Sequence, residues 1–169
     1  YCQDNELSWV DWDRARDFEH LTDFVTRISA LRREHPVFRR RRFFQGRLLR
    51  GSHVEDIAWL QPSGEPMTDE DWDNGYAKSL AVFLNGSGIP ELDQRGERIT
   101  DDSFLILLNG HHETLTFTMP DAGYGEAWNV VVDTAAPLLD LAVDEPRSAK
   151  AGGEIVAEAR SVLVLRRAF

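Results

Sequence analysis

The chain is 169 residues long, with 42% hydrophobic and 10% aromatic residues, which is enough for one compact domain with a buried core. Its formal charge of -10 excludes nucleic acid as an expected partner, because a surface of that sign repels phosphate backbones unless a basic patch is set apart; it suits an uncharged ligand such as a neutral polysaccharide. The longest apolar runs, Phe104 to Leu108 and Ser161 to Leu165, fall far short of the roughly 20 residues of a membrane span, so no membrane partner is expected.

The opening Tyr-Cys-Gln-Asp has no initiator methionine, basic leader or apolar signal stretch, and reads as the interior of a longer protein. Cys2 is the only cysteine; it cannot build an internal disulfide framework, and the composition fits a reducing compartment, with the cytoplasm as the expected location. Over residues 16–34, Phe18, Leu21, Phe24, Val25, Ile28 and Leu31 recur at intervals of three and four, which predicts one apolar face of a helix. Asp13 is the expected N-cap, Asp17 and Glu19 lie in the first turn, Arg32 and Arg33 in the last, and Pro36 ends the helix at or before His35.

From about residue 43 the period changes to that of strands. Phe43–Phe44, Ile57–Leu60, Leu80–Leu84, Phe104–Leu108, Leu115–Phe117, Val130–Val132 and Val162–Leu165 are short apolar or alternating runs between Gly, Pro, Asn and Asp clusters. They predict an antiparallel β-sandwich of about seven or eight strands. Thr114 to Met119 alternates cleanly, as a strand with one buried and one wet face should. Two stretches interrupt the pattern: Glu65 to Ser79 reads as a long loop with a short helical turn capped by Thr68, and Ala135 to Gly153 as an irregular excursion.

Glycosidic hydrolysis needs two carboxyl groups roughly 5 to 9.5 Å apart. With 29 acids, pairings such as Asp4 with Glu6, Asp11 with Asp13, or the trio Asp69, Glu70 and Asp71 arise by chance, and none is assigned a catalytic role. Arg39 to Arg42, read as extended chain, would split their charges between two faces and serve as partners for acids at a domain junction. His111–His112 has no further Cys or His at ligand spacing, so neither metal nor cofactor is expected, and Cys2 has no catalytic histidine beside it. Of the five tryptophans, Trp59 and Trp128 lie in predicted strands and are expected in the core, Trp72 is the better candidate for exposure, and Trp9 and Trp12 flank the helix start; ring packing is the expected use of each.

The opening Tyr1-Cys2-Gln3-Asp4-Asn5-Glu6-Leu7-Ser8-Trp9-Val10-Asp11-Trp12 resembles the segment after the last barrel strand of bacterial glycogen-debranching enzymes of isoamylase type, in the α-amylase superfamily of glycoside hydrolases. Leu31 to Phe38, Arg40 to Gly46, Asp56 to Leu60, Met67 to Trp72, Asp101 to Phe104 and Leu107 to Glu113 are similar to that family in the same order. The resemblance is weakest between Ala135 and Gly153. It implies that residues 1–37 are the tail of a catalytic (β/α)8 barrel, with the loop after strand 8 and the final helix, and that residues 38–169 are a C-terminal β-sandwich domain. A whole barrel takes about 250 residues, so the family's catalytic carboxylates have no counterpart here.

The resemblance further implies a parent enzyme that cleaves α-1,6-glucosidic branch points of glycogen or limit dextrin with retention. This chain would be inactive alone, with the missing barrel domain of the same parent chain as its partner. Tyr1, Asp4, Asn5 and Trp12 are the expected substrate-binding residues, the rings stacking on glucose and the polar groups bonding hydroxyls. The alternative from another class is an independent glucan-binding sandwich module, which would show two exposed rings about one sugar repeat apart on one wet face.

Overall fold

A computed structural model describes residues 2–49, 54–75, 77–136 and 147–168. A 3-10 turn over Asp13–Phe18 leads into helix α1, Glu19–Glu34, and a second 3-10 turn, Pro36–Arg39, follows at once. Proline at the first position of that turn lacks an N–H to continue the α-helical ladder, which is why α1 stops where the sequence says. The expected cap differs. Asp13 opens the 3-10 turn, and the Asp11 carboxylate accepts the N–H groups of Asp13 and Arg14 at 3.1 and 3.3 Å. Helix α1 itself starts from Phe18 with no side-chain cap, because the preceding turn already occupies the chain there.

Eight strands follow: β1 Ile57–Leu60, β2 Ser79–Leu84, β3 Phe104–Asn109, β4 Leu115–Thr118, β5 Ala127–Asp133, β6 Ser148–Lys150, β7 Glu154–Ala157 and β8 Ser161–Arg167, with a short helix α2, Asp69–Trp72, between β1 and β2. One sheet runs β1-β2-β3-β8-β5-β6, every pair antiparallel, and β4 pairs with β7 in a second layer. Alternate residues of the large sheet point inward: Ala58 and Leu60, Ala81 and Phe83, Leu105 and Leu107, Leu163 and Leu165. They pack with Trp128 against Phe117, Met119, Ile155 and Ala157 from the small sheet and its flanks, which closes a two-layer antiparallel β-sandwich behind one helix. A second cluster forms on the other side of the large sheet, where Val37 and Ile89 bury Val82, Leu84 and Phe104.

Several expectations are corrected here. Phe43–Phe44 is not a strand. The backbone N–H groups of Gln45, Gly46 and Arg47 all donate to the Asp56 carboxylate, and Gly46 takes a positive φ of 61°, so this stretch bends around an acid and makes no ladder. Arg39 to Arg42 is likewise not extended chain, since Arg39 closes the second 3-10 turn. Within the stretch read as irregular, Ser148–Lys150 forms β6 against Ala127–Asn129; residues 137–146 of it lie outside the described residues. Strand β7 was not anticipated either, although Glu154-Ile155-Val156-Ala157 buries alternate residues as a sandwich strand does.

The linker between α1 and β1 is tied down by charge. The Arg40 guanidinium meets Asp56 at 3.2 Å, with side chains only 4% and 6% exposed, and stacks 3.9 Å over the Phe44 ring. Removing one partner of such a pair leaves an uncompensated buried charge. Asp56→Ala should therefore cost about 3–5 kcal/mol of unfolding free energy in urea, with Asp56→Asn, which keeps hydrogen-bond acceptance, losing less; a loss below about 1 kcal/mol would place this pair with ordinary surface ion pairs.

Candidate functional site

The N-terminal segment folds into a compact turn of its own. The backbone carbonyl of Asn5 accepts the N–H groups of Ser8 and Trp9 at 3.0 and 3.1 Å, while its side-chain oxygen accepts from Leu7 at 3.1 Å and its amide donates to Gln3. The Ser8 hydroxyl reaches back to the Gln3 carbonyl. Asp4 accepts the Trp9 indole N–H at 2.6 Å. Asp4, Asn5 and Trp9 are thus brought together on an exposed surface, and Trp12, 77% exposed, stands just before the 3-10 turn. Tyr1 lies outside the described residues. An exposed indole beside a carboxylate and an amide can stack on a ring and bond its hydroxyls, although here Asp4 already holds the Trp9 indole N–H.

A second group surrounds α2. Thr68 caps it with a reciprocal box: its hydroxyl accepts the Asp71 N–H, and the Asp71 carboxylate accepts the Thr68 N–H at 2.8 Å and its hydroxyl at 2.7 Å. Gln61 donates to the same carboxylate at 2.8 Å. The box fixes the turn that carries Trp72, whose ring stands edge-to-face with Trp59, centroids 5.5 Å apart. Trp59 was expected in the core; it points out because Ala58 and Leu60 take the inward positions of β1. Trp128 is fully buried as expected, whereas Trp9, Trp12, Trp59 and Trp72 are all exposed. Beside the pair lies a cleft of about 620 Å³ whose walls include Met67, Asp71, Trp72, Leu80, Leu108 and Val162.

The remaining candidates are absorbed by structure. The backbone N–H groups of Arg41 and Arg42 both donate to Glu91 at 2.9 Å. Burial pushes the Glu91 carboxyl up, but those two N–H groups, its own N–H and the nearby Arg40 charge outweigh it and leave it below the usual glutamate range. His111, His112 and Glu113 have ligand atoms within 4.8 Å of one another, yet His111 Nδ1 already accepts the Glu113 N–H at 3.1 Å, so that nitrogen is spent on the turn. His35, Asp101 and Asp102 form a comparable group, in which His35 Nδ1 meets Asp101 at 2.8 Å. Reasoning from the sequence missed Asp56 and Asp101. Both stand at or just before a strand start, and an acid beside a loop that needs donors capped was the available signal.

A helix followed by an antiparallel sandwich in this order is the architecture of the C-terminal domain of an amylase-type enzyme. Residues 56–166 match the isoamylase C-terminal family, and the chain belongs to that family. It is 46% identical over 168 residues to the glycogen operon protein GlgX homolog of Mycobacterium tuberculosis, a match that covers 99% of this chain and 23% of the relative. It is 39% identical over 121 residues to a glycogen debranching enzyme of Dickeya chrysanthemi, covering 72% and 15%, and 25% identical over 134 residues to an isoamylase of Pseudomonas amyloderamosa, covering 79% and 15%. In fold it resembles the pullulanase from Bacillus acidopullulyticus, with a TM-score of 0.51, 15% identity and coverage of 93% of this chain and 15% of that one. The chain thus spans about a quarter of the length of the mycobacterial relatives it matches.

The capping box gives α2 a defined pH response. The Thr68 N–H and then its hydroxyl hold the Asp71 carboxyl below the ordinary aspartate value, with burial opposing weakly. An acid depressed on folding adds stability that is present above its unfolded pKa and lost as pH falls through the folded one. The Trp72 turn should therefore stay capped through neutral pH and open only below about pH 4. Thr68→Ala should raise that midpoint; tryptophan fluorescence followed through an acid titration measures it, and identical midpoints would refute the hydroxyl's part.

Proposed function

We propose that the chain serves as the non-catalytic C-terminal part of a glycogen-debranching α-1,6-glucosidase, cleaving branch points of glycogen or limit dextrin with retention, and is inactive alone. The observation that carries this reading is the 46% identity along nearly the whole chain to a glycogen operon protein about four times as long. Residues 1–37 are the tail of a catalytic barrel and residues 38–169 its sandwich. Helix α1 supports that division: it has no fully buried residue, Leu21 and Val25 are exposed on it, and Phe18 is exposed just before it. An amphipathic helix left so open has a partner to meet.

Inactivity of the chain by itself is supported by what its acids do. Asp11, Asp56, Asp71, Asp93 and Asp101 each accept main-chain N–H groups, so they hold turns and caps in place. In the longer enzyme, Asp4, Asn5 and Trp12, with Tyr1, line the substrate cleft, and the turn built on Asn5 sets where Trp9 and Trp12 present their rings. The exposed Trp59–Trp72 pair is the observation that favours the second reading, an independent glucan-binding module.

Trp12→Ala in the full-length enzyme should raise KM for a branched glucan about tenfold, roughly the loss of one stacking ring at 1–1.5 kcal/mol, with kcat less affected; Asp4→Asn should act in the same direction. Unchanged KM in both variants would remove these residues from the cleft. Titration of the 169-residue chain with maltoheptaose separates the two readings, since tight binding without hydrolysis favours the independent module and release of reducing ends from a branched glucan would overturn inactivity.

A further inference from the structure

Extended chain would point the four successive arginines two ways. The 3-10 turn that Arg39 closes, with the bend after it, instead brings all of Arg39 to Arg42 to the wall of one cleft of about 760 Å³. Pro36, residues 89–94 and Ile99 form its other walls.

The joint between helix and sandwich uses only part of what these residues carry. Arg41 and Arg42 give it their main-chain N–H groups, both donated to Glu91 Oε1 at 2.9 Å, and Arg40 gives it Nη2, donated to Asp56 at 3.2 Å. The side chains of Arg39, Arg41 and Arg42 are exposed and meet no acid or acceptor among the described residues. Arg40 has a side chain only 4% exposed, yet its Nε and Nη1 donate to nothing, and the buried Glu91 Oε2 accepts nothing. Buried donors and acceptors are normally paired, so open ones on both sides of one cleft call for a partner.

The unused groups define the chemistry of that partner. Guanidinium N–H groups match the oxygens of a phosphoryl group in geometry and charge. Four of them against the carboxylates of Asp56, Glu91 and Asp93 leave one positive charge in excess, set apart in a chain of formal charge -10, and a cleft concentrates such a field. Asp93 is already engaged, since its carboxylate accepts the N–H groups of Arg95 and Glu97 at 2.8 Å. Glu91 Oε2 requires the opposite kind of group: it accepts from a hydroxyl and repels a bare anion. A small molecule that satisfies both carries a phosphoryl group and hydroxyls together, and the cleft is of the size that holds one.

We propose that the cleft between the Arg39 to Arg42 bend and residues 89–94 binds a phosphorylated hexose, its phosphoryl group held by the arginine side chains and one sugar hydroxyl donating to Glu91 Oε2. The site is separate from the exposed tryptophans and from the N-terminal turn. Because it binds only the folded joint, the ligand raises the stability of the fold as its concentration rises.

Isothermal titration calorimetry of the full-length protein with glucose 6-phosphate and with inorganic phosphate tests this. No glucan is present, so the result is independent of the debranching reading. Glucose 6-phosphate should bind about tenfold more tightly than inorganic phosphate, the order of one hydrogen bond to a charged group. Arg41→Ala combined with Arg42→Ala should weaken it by more than about tenfold and leave the urea midpoint unchanged, because alanine keeps the main-chain N–H groups that Glu91 accepts. Lysine at the same two positions should recover part of the loss, as point charges without the planar fork do. Absence of binding would overturn the proposal. So would inorganic phosphate binding as tightly as the sugar phosphate, which removes the hydroxyl contact, or full affinity in the double alanine variant, which puts the ligand elsewhere.

Discussion

Three buried or half-buried carboxylates hold the segment between helix and sandwich, and the placement of everything N-terminal to it depends on them. Asp101 takes His35 Nδ1 at 2.8 Å and the Val37 N–H at 2.9 Å; Glu91 takes the N–H groups of Arg41 and Arg42; Asp56 takes those of Gln45, Gly46 and Arg47 together with the Arg40 guanidinium. Residues 35–47 form no strand, so their N–H groups have no ladder to satisfy them. Side-chain acids on the sandwich supply the acceptors instead. With charge-assisted bonds spaced along thirteen residues, the linker cannot pivot, and the seating of Val37 and Phe38 against Phe104 follows from it.

That arrangement gives a physical meaning to the arginine run. Four successive cations in a chain of net charge -10 invite a reading as a ligand site. In the folded protein Arg40 turns inward to neutralise Asp56 and lie on Phe44, and its neighbours contribute main-chain donors to Glu91. The run is a structural joint, as partners for acids at a junction would be, though it reaches that role through a 3-10 turn and a bend.

How much was legible follows the same division between repeating and singular features. Short apolar or alternating runs between turn residues located β1 to β5 and β8, and the 3.6 period with Pro36 located α1 and its end, because such runs and periods repeat along the chain. Strand β6 was missed because three residues, Ser148 to Lys150, are too few to show a period, and β7 because Glu154 and Val156 put unlike residues on its wet face. The Trp59 side was misjudged although its neighbours decided it: in Ile57-Ala58-Trp59-Leu60 the inner face takes the small alanine and the leucine, which leaves the large ring outside. At the N-terminal site, the turn that binds Asp4 to Trp9 depends on side-chain bonds between residues five apart, which no periodicity announces.

The strands also differ in a way that bears on what the sandwich is for. Strand β4 alternates Leu, Thr, Phe, Thr, polar outward, as suits a layer with water on one side. The central strands do not alternate: β3 reads Phe-Leu-Ile-Leu-Leu and β8 Val-Leu-Val-Leu, apolar on both faces, which is the composition of strands covered on both sides. The inner cover is the β4–β7 layer, under which Leu105, Leu107, Leu163 and Leu165 are buried. Among the described residues the outer cover closes fully over Val82, Leu84 and Phe104, while Leu80, Ile106, Leu108, Val162 and Val164 are half-buried. The linker that the three carboxylates hold places α1 on this same side of the large sheet, where Leu31 packs against the outer cluster and Phe24 and Ile28 face Val131. The apolar outer faces of β3, β8 and β5 and the apolar side of the helix thus share one side of the sandwich.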